Sequence, residues 1–338
     1  MLTWKKIILK LRNPFRLSYG ISEERQAYWI RLEGDQGWGE GTIPPYYHVP
    51  TQAMEVYWQK AAQRREPFPD ELEKISGWID SDGPAPARCA LDLALHDRLA
   101  KRQSLPLWKM LELPEPLPKP SSFTISMDTP EAMAAMACQV SQYPILKIKL
   151  GGDGLDLERL KMIRSARPEA LIRVDANAGW SFEEAVRFME TLQTFHLELL
   201  EQPLAQTDIR GMGKLQEMTG IPIVADESVQ TMDDIEALAK AGVKGVNIKL
   251  MKVGGLGPAL QLIRRARELG LKIMLGCMIE TSVGLTAMAH LSGLAEWLDL
   301  DASMLVINDP FEGMLFDETA AIHVPDRPGI GVRLKSAD

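Results

Sequence analysis

The spacing of charged residues at the ends of short apolar runs constrains the fold of this chain more than any other feature. The stretch from Lys147 to Asp301 contains the charged residues of the runs LKIKL, IRVDAN, LELLEQP, IVADES, VNIKL, IMLGC and WLDLD. The successive intervals are 26, 26, 25, 23 and 50 residues for Lys149, Asp175, Glu201, Asp226, Lys249 and Asp299. One interval of about 25 residues holds a strand, a helix and two loops, which is the period of a β/α barrel. Because the carboxyl ends of barrel strands converge, we expect these side chains to face one cavity.

The composition predicts an ordinary soluble globular protein whose partner is a small molecule. Of the 338 residues, 46% are hydrophobic and 25% are charged, and the net charge of -8 argues against a nucleic-acid or anionic-membrane surface. No apolar run reaches the roughly 18 residues of a membrane span, and the first 15 residues lack the pattern of a secretory signal. We therefore expect a cytoplasmic protein, either a monomer or a homo-oligomer. The cysteines and histidines have no spacing typical of a disulfide framework or a zinc site.

We predict that residues 1–115 form an α+β domain ahead of the barrel. KKIILKL and YWIRLEG are predicted strands, PFRLSYGISEERQ between them is a predicted loop, and GDQGWGEG supplies turn glycines. PPYYHVP is either a surface turn or part of a site. From residue 51 onward, alanine and leucine recur at helical intervals. This pattern predicts helices in TQAMEVYWQKAAQ, PDELEKISGWI and PAPARCALDLALHDRLAKRQS.

We predict that residues 116–308 form the barrel and that residues 309–338 form a β-rich tail. PLPKP marks the boundary between the two regions, and eight strands then alternate with seven helices. The predicted helices start at Pro130, Leu155, Ser181, Asp208, Met232, Pro258 and Val283. After the last strand, NDPFEGMLF and IHVPDRPGIGV replace an eighth helix. Such a tail could return to the N-terminal domain.

Asp175, Glu201 and Asp226 each end a predicted parallel strand, so three carboxylates would meet at the barrel mouth. Their mutual repulsion in a site of low dielectric is relieved by a divalent cation. Ligation by oxygen alone favours Mg²⁺, with Mn²⁺ as a substitute. The alternative is that the three residues cap the helices that follow them.

Three lysines accompany the carboxylates. Lys147 and Lys149 are two residues apart on one strand, so both point into the barrel, and we expect each to lower the proton affinity of the other. A lysine tuned in this way can act as a general base. Lys249 ends a strand four units away, on the opposite side of the barrel. Two bases on opposite faces can invert a carbon atom; the alternative is that the lysines are solvated surface residues.

These motifs resemble those of the enolase superfamily, in its muconate-lactonizing subgroup. The KxK of LKIKL, the aspartate of VDAN, EQP, ADES and the lysine of NIKLMKVGG stand in the family's order, and the resemblance covers essentially the whole chain. It implies an α/β fold, a (β/α)7β barrel whose mouth is closed by an N-terminal α+β capping domain. The C-terminal tail joins that domain.

The resemblance also implies roles for individual residues. One Mg²⁺ per subunit would bind to Asp175, Glu201 and Asp226, and Lys149 and Lys249 would form an acid/base pair. Lys147 would assist the substrate carboxylate as an enediolate develops beside it. Asn177 would support the site from behind, or serve only as a turn residue.

The DLD motif separates the activities of this subgroup. Asp299 and Asp301 lie on one side of the last strand and add two negative charges, which call for a cationic group on the substrate. Together with GCMIETS, which contains Met278, the motif resembles the dipeptide epimerases, whose substrates carry a free α-ammonium. The alternatives are that DLD only caps the strand at the surface, or that the chain is an N-succinylamino acid racemase or an o-succinylbenzoate synthase. A non-catalytic binding protein on a barrel scaffold is a further alternative.

The capping loop leaves the preferred side chain of the substrate open. In L-Ala-D/L-Glu epimerases an arginine of this loop can pair with the glutamate, whereas alignment from PF puts Gly20 near that position, with Arg16 and Arg25 displaced from it. Arg25 could serve after a shift of the loop, or it could be solvated. A pocket for apolar side chains could instead be lined by Tyr19, Ile21, Tyr46 and Tyr47. A preference for Ala-Glu would imply a role in murein peptide metabolism.

Overall fold

A long antiparallel ribbon begins the chain. The computed structural model describes residues 1–18, 20–43 and 45–336. Strand β1 (Leu2–Leu17) pairs with β2 (Gly20–Leu32), with a break in register between Lys10 and Phe15. The predicted loop at PFRLSYGISEERQ is therefore wrong, since most of it continues the two strands. The ribbon is held by backbone pairing and is half-exposed, so it needs no alternation of apolar and polar residues.

Strand β3 (Gly37–Thr42) completes a three-stranded sheet in the order β1-β2-β3. The prediction of a turn at these glycines is also wrong, since they lie in a strand. A Cβ atom at Gly37 would overlap the carbonyl oxygen of Ala94, and one at Gly39 would overlap that of Ala90. The glycines therefore let the sheet pack directly against the backbone of a helix.

That helix is the longest of four α-helices in the described part of the capping region. They are α1 (Thr51–Ala62), α2 (Ile75–Trp78), α3 (Ala85–Arg102) and α4 (Leu107–Met110). In PDELEKISGWI the predicted helix is reduced to a 3₁₀ turn and the single turn of α2. Trp58 of α1 is fully buried and packs against Tyr28 with ring centroids 5.1 Å apart. These aromatic side chains anchor the helices to the sheet.

Eight short parallel strands form the barrel, and each pairs with the next in sequence. After the short strand β4 (Lys119–Pro120), they are β5 (Phe123–Ile125), β6 (Ile145–Lys149), β7 (Leu171–Asp175), β8 (Leu197–Glu201), β9 (Ile223–Ala225), β10 (Gly245–Ile248), β11 (Lys272–Gly276) and β12 (Trp297–Asp299). The ladders put Lys149 beside Asp175 and Asp175 beside Glu201. The backbone N–H of Ser122 donates to the Leu298 carbonyl at 3.1 Å, which brings the first and last strands together. The predicted α/β barrel with an N-terminal cap is confirmed.

The helices between the barrel strands begin within about two residues of their predicted starts. They are α5 (Pro130–Gln139), α6 (Asp156–Ala166), α7 (Phe182–Gln193), α8 (Ile209–Glu217), α9 (Met232–Ala241), α11 (Leu256–Glu268) and α12 (Ser282–Ala289). Two single turns, α10 (Leu250–Val253) and α13 (Ala302–Leu305), follow β10 and β12 and were not predicted. Among the described residues, no helix is long and apolar enough to cross a membrane.

The C-terminal tail is built from short strands that contact the capping region. Strand β13 (Phe311–Glu312) pairs with β16 (Arg333–Leu334), whereas β14 (Leu315–Phe316) and β15 (Ala321–His323) form a sheet with β4. Phe311 packs edge-on against Trp29 and Trp38, with ring centroids 5.0 and 4.9 Å away. The tail thus covers the junction between the cap sheet and the barrel.

Candidate active site

Three buried carboxylates from neighbouring strands form the centre of the barrel mouth. Asp175 ends β7, Glu201 ends β8 and Asp226 follows β9, with exposed fractions of 0, 0 and 2%. One oxygen from each lies within 4.8 Å of the other two. The helices that follow are capped instead by Ser181, Asp208 and Thr231, which contradicts the alternative that the carboxylates are helix caps.

This donor set fits a magnesium ion. All three ligand atoms are carboxylate oxygens, the type that Mg²⁺ prefers, and they stand at or directly after the ends of neighbouring barrel strands. Burial together with neighbouring Asp175 raises the pKa of Glu201 to about 7. Burial also acts to raise the pKa of Asp175, but Lys147 and Lys149 outweigh it and lower that pKa to about 2. The carboxylates thus differ in proton affinity because they share the lysines unequally.

Lys147 lies at the centre of the cluster. Its Nζ is 2.9 Å from Asp175 Oδ2, 2.8 Å from Glu201 Oε2 and 2.6 Å from Asp299 Oδ2. The residue is only 1% exposed. Three carboxylates therefore surround one ammonium group, which has three N–H donors. The alternative of a solvated surface lysine is wrong for this residue.

Lys149 and Lys249 contact the triad from different strands. Lys149 Nζ lies 2.6 Å from Asp175 Oδ2, and Lys249 Nζ lies 2.7 Å from Asp226 Oδ2. Both residues are 6% exposed. Lys149 ends the second barrel strand and Lys249 follows the sixth, so they lie across the eight-stranded barrel from each other.

The electrostatic balance at the lysines differs from the expectation. Burial acts to lower the pKa of Lys147, but Asp175, Asp299 and Glu201 outweigh it and raise that pKa well above its usual value. In the same way, Asp226 offsets burial and raises the pKa of Lys249. Lys147 does act to lower the pKa of Lys249, but the carboxylates outweigh this effect. Each ammonium group lies closer to carboxylates than to another cation.

A fourth lysine, Lys252, was not singled out from the sequence. Its Nζ donates to the side chain and main-chain carbonyl of Asp226 and, at 3.0 Å, to the Asn247 carbonyl. Burial lowers the pKa of Lys252. The signal was present in NIKLMK, because the turn α10 puts the second lysine one helical turn after Lys249. Asn247 in turn donates to Glu201 Oε1 at 2.7 Å.

Asn177 links the triad to the capping ribbon. It has a left-handed backbone (φ 42°), its N–H donates to Asp175 Oδ1 at 2.9 Å, and its Nδ2 donates to Glu227 at 3.2 Å. The Ser18 hydroxyl at the ribbon's end donates to the Asn177 carbonyl at 2.8 Å. The residue is therefore both a turn residue and a neighbour of the carboxylate cluster.

The two aspartates of the DLD motif lie in the same mouth. Asp299 and Asp301 are each 4% exposed, which contradicts the alternative of a surface cap. The negative charge of Asp299 is paired with Lys147 within the protein. Burial and the neighbouring Asp299 raise the pKa of Asp301 to about 6.

The capping region closes the cavity above these groups. Among the residues that line the cavity are Phe15, Leu17, Arg25, Tyr46 and Tyr47 from the cap and Met278 from the barrel. Arg25 Nη2 donates to Ser22 Oγ at 2.9 Å. Arg16 is directed elsewhere and pairs with Asp128 at 2.7 Å, and Ile21 is 63% exposed. Tyr19 lies outside the described residues.

Comparison with known proteins connects this geometry to a family. The model of the enolase C-terminal domain-like family matches residues 131–338. An L-Ala-D/L-Glu epimerase of Bacteroides thetaiotaomicron is 34% identical over 96% of this chain and 85% of its own. A hydrophobic dipeptide epimerase of Roseobacter litoralis is 34% identical over 98% of both chains. The relatives thus match nearly the full length of this chain.

Solved structures give the same result. A substrate-liganded L-Ala-D/L-Glu epimerase from Bacillus subtilis has a TM-score of 0.92 at 30% identity, over 98% of both chains. A dipeptide epimerase from Enterococcus faecalis, complexed with Mg and L-Leu-L-Tyr, has a TM-score of 0.89 at 30% identity and the same coverage. An N-succinyl Arg/Lys racemase from Bacillus cereus has a TM-score of 0.92 at 26% identity, over 99% of this chain and 95% of that chain. The chain therefore belongs to the enolase superfamily and is an isomerase, with dipeptide epimerases among its relatives.

Proposed function

We propose that this chain is a Mg²⁺-dependent dipeptide epimerase that inverts the α-carbon of the C-terminal residue. The observation that carries the proposal is the placement of Lys149 and Lys249 on opposite sides of one carboxylate triad. A substrate carboxylate held at the triad would have its α-carbon between the two ammonium groups. The dipeptide epimerases among the relatives support the choice of substrate class.

The lysines exchange one proton with each face of the α-carbon. Lys149, in its neutral form, removes the proton from one stereoisomer, and the protonated Lys249 donates a proton to the opposite face. The reverse reaction exchanges these roles. The enediolate formed between the two steps carries an additional negative charge, which Lys147 offsets from the centre of the cluster.

Asp175, Glu201 and Asp226 would hold the metal ion. When bound, Mg²⁺ would polarise the substrate carboxylate and offset the charge of the triad. Lys252 and Asn247 orient this set of ligands, because they donate to Asp226 and Glu201 respectively. Asn177 fixes Asp175 through its backbone N–H.

The cavity supports two classes of side chain on the C-terminal residue. Arg25 lines it and favours an acidic side chain such as glutamate, as in an L-Ala-D/L-Glu or Xaa-Glu substrate. Phe15, Leu17 and Tyr47 line the same cavity and favour an apolar side chain. A role in murein peptide metabolism would follow from the first preference alone.

The alternative is an N-succinylamino acid racemase or an o-succinylbenzoate synthase with the same bases. The likeness to the N-succinyl Arg/Lys racemase favours it, because that enzyme shares the fold at 26% identity. Such a substrate has no free α-ammonium. The alternative therefore predicts that loss of the Asp301 charge leaves activity largely intact, whereas dipeptide turnover would lose several kcal/mol of binding energy.

The test is incubation with Mg²⁺ and mixed L,L-dipeptides in D₂O, followed by mass and stereochemical analysis of each α-carbon. We expect deuterium only at the C-terminal α-carbon, together with the L,D product. Lys249→Met should stop epimerisation yet still exchange the one stereoisomer that Lys149 deprotonates, and Lys149→Met should retain exchange of the other stereoisomer. If N-succinylamino acids exchanged their α-proton for deuterium and no dipeptide did, the proposal would be wrong and the alternative function would be supported. An Mg²⁺-free sample should be inactive.

A further inference from the structure

A second cleft lies at the junction between the capping region and the barrel, and we call it the junction cleft. Residues of α2, α3 and α11 line it, and its volume is about 510 Å³. Among the described residues, none that lines it also lines the substrate cavity. The single turn α10 joins the two spaces, because Lys249 before it lines the substrate cavity and Gly254 after it lines the junction cleft. The charged and titratable lining residues are Glu73, Arg88, Asp92, His96 and Arg264.

Arg88 presents unused hydrogen-bond donors to this cleft. Its Nε donates to the Gly83 carbonyl at 3.0 Å, whereas Nη1 and Nη2 have no hydrogen-bond or ion-pair partner in the described part of the chain. The guanidinium lies directly against the backbone of Gly254, where a Cβ atom would come within 2.9 Å of Nη1. Two free nitrogens of a planar guanidinium match two oxygens of a carboxylate or a phosphate.

His96 is a buried side chain that lines the same cleft. It is only 3% exposed, and its Nδ1 lies 2.8 Å from the Asp92 carbonyl, to which that nitrogen must donate. Its Nε2 has no hydrogen-bond partner among the described residues. Burial acts to lower the pKa of His96, but the Asp92 carboxylate and carbonyl outweigh it and raise that pKa. The charged ring is therefore favoured, and in that form Nε2 carries a proton that needs an acceptor.

The carboxylates of the cleft do not engage these donors. Asp92 Oδ1 accepts from the Leu256 N–H at the start of α11 at 2.5 Å and lies 3.3 Å from His96 Nδ1, on the side of the ring away from Nε2. Glu73 and Arg264 are both exposed, and neither forms an ion pair within the described residues. Two guanidinium groups and one ring nitrogen thus line the cleft without an acceptor.

We infer that the junction cleft is a binding site for a small organic anion, whose carboxylate or phosphate group accepts from Arg88 and from Nε2 of His96. Arg264 adds a second positive charge on the exposed side of the cleft. The site does not depend on the proposed epimerase activity, since the two spaces have no described lining residue in common. The bound anion lies beside Gly254, directly after the turn that carries Lys252 to Asp226.

The experiment measures anion binding to the Mg²⁺-loaded protein by calorimetry. Inorganic phosphate and succinate are the two probes, because they separate a phosphate group from a carboxylate group. We expect one anion per chain to bind, with a dissociation constant of about 1 mM or lower for at least one probe. The probe that binds more tightly identifies the anionic group that the cleft prefers.

Three arginine variants locate the bound anion. Arg88→Gln should weaken binding by about 10-fold or more, because it removes the paired guanidinium donors. Arg264→Gln should weaken binding by about 3-fold, because its charge is exposed and screened, and it serves if Arg88→Gln does not fold. Arg265→Gln is the matched control, since Arg265 is the next residue of α11 and pairs with Glu236 and Glu268. The affinity of this variant should equal that of wild type.

Three results would overturn the inference. Absence of saturable binding of both probes to wild type, at concentrations well above the expected dissociation constant, would mean that the cleft is not an anion site. Equal affinity in wild type and Arg88→Gln would place the anion elsewhere, for example at the metal. Equal weakening in Arg264→Gln and Arg265→Gln would show only a general effect of surface charge.

Discussion

A buried histidine far from the active site should make stability depend on pH. His290, at the end of α12, is fully buried. Its Nε2 lies 3.0 Å from the Ile330 carbonyl, and its Nδ1 lies 3.4 Å from the backbone N–H of Trp108. These partners fit a neutral ring with the proton on Nε2, which donates to the carbonyl and accepts at Nδ1. A second proton would face the N–H of Trp108. The histidine thus joins a barrel helix to α4 and to the tail.

The size of the effect follows from the pKa. Burial lowers the pKa of His290 to about 4, although the Ile330 carbonyl acts in the opposite direction. In the unfolded chain the pKa is about 6.5. Between these two values the unfolded chain binds more protons than the native one, so stability falls as the pH decreases from about 6.5 to about 4. The shift corresponds to a loss of about 3 kcal/mol from this residue at the lower end of the range.

His290→Gln tests this reasoning, because the glutamine amide can donate to the same carbonyl but does not titrate. Free energies of unfolding in urea are measured from pH 7.5 to pH 4 for wild type and variant. The advantage of wild type over the variant should shrink by about 3 kcal/mol across this range. His48→Asn, at an exposed residue with a left-handed backbone that asparagine tolerates, is the control. Parallel curves for wild type and His290→Gln would refute the argument.

Two further substitutions test contacts that the structure revealed. Gly39→Ala should lower the free energy of unfolding by about 1 to 3 kcal/mol, because its Cβ would overlap the Ala90 carbonyl oxygen, and Gly77→Ala, with open space around it, should not lower it. An equal thermal shift in both variants would contradict this assignment. Lys252→Met should lower the free energy of unfolding by about 3 kcal/mol in metal-free buffer, because it removes a buried cation from Asp226. Unchanged urea unfolding would show that the lysine does not support this carboxylate.

The barrel and its triad were predictable because they depend on periodicity. Charged residues at intervals of about 25 mark strand ends, and parallel strand ends converge whatever the details of packing. The ladder then puts Asp175 and Glu201 side by side in register. The cap ribbon was not predictable in the same way. Its tip is stabilised by pairing between backbones, which leaves little trace in polar, half-exposed side chains.

The glycines of β3 show a second limit of sequence reasoning. Glycine is depleted in strands and common in turns, so GWGEGT favours a turn when it is considered alone. Close approach of α3 reverses that preference, because a residue without Cβ is needed where strand and helix backbones meet. The partner helix lies about 50 residues further along the chain, so local spacing cannot reveal this contact.

The unequal environments of Asp299 and Asp301 have the same kind of origin, at the seam of the barrel. Within the described part of the chain, β5 and β12 lie at the two ends of the eight-stranded ladder and do not pair as strands. The Thr124 N–H is therefore free to donate to the Asp301 carboxylate, and the Ser122 hydroxyl to Asp299. A regular ladder would have given the N–H a carbonyl partner instead. The break in the sheet thus lets β5 and the residues before it supply polar contacts to both aspartates, and these contacts depend on how residues about 177 positions apart meet.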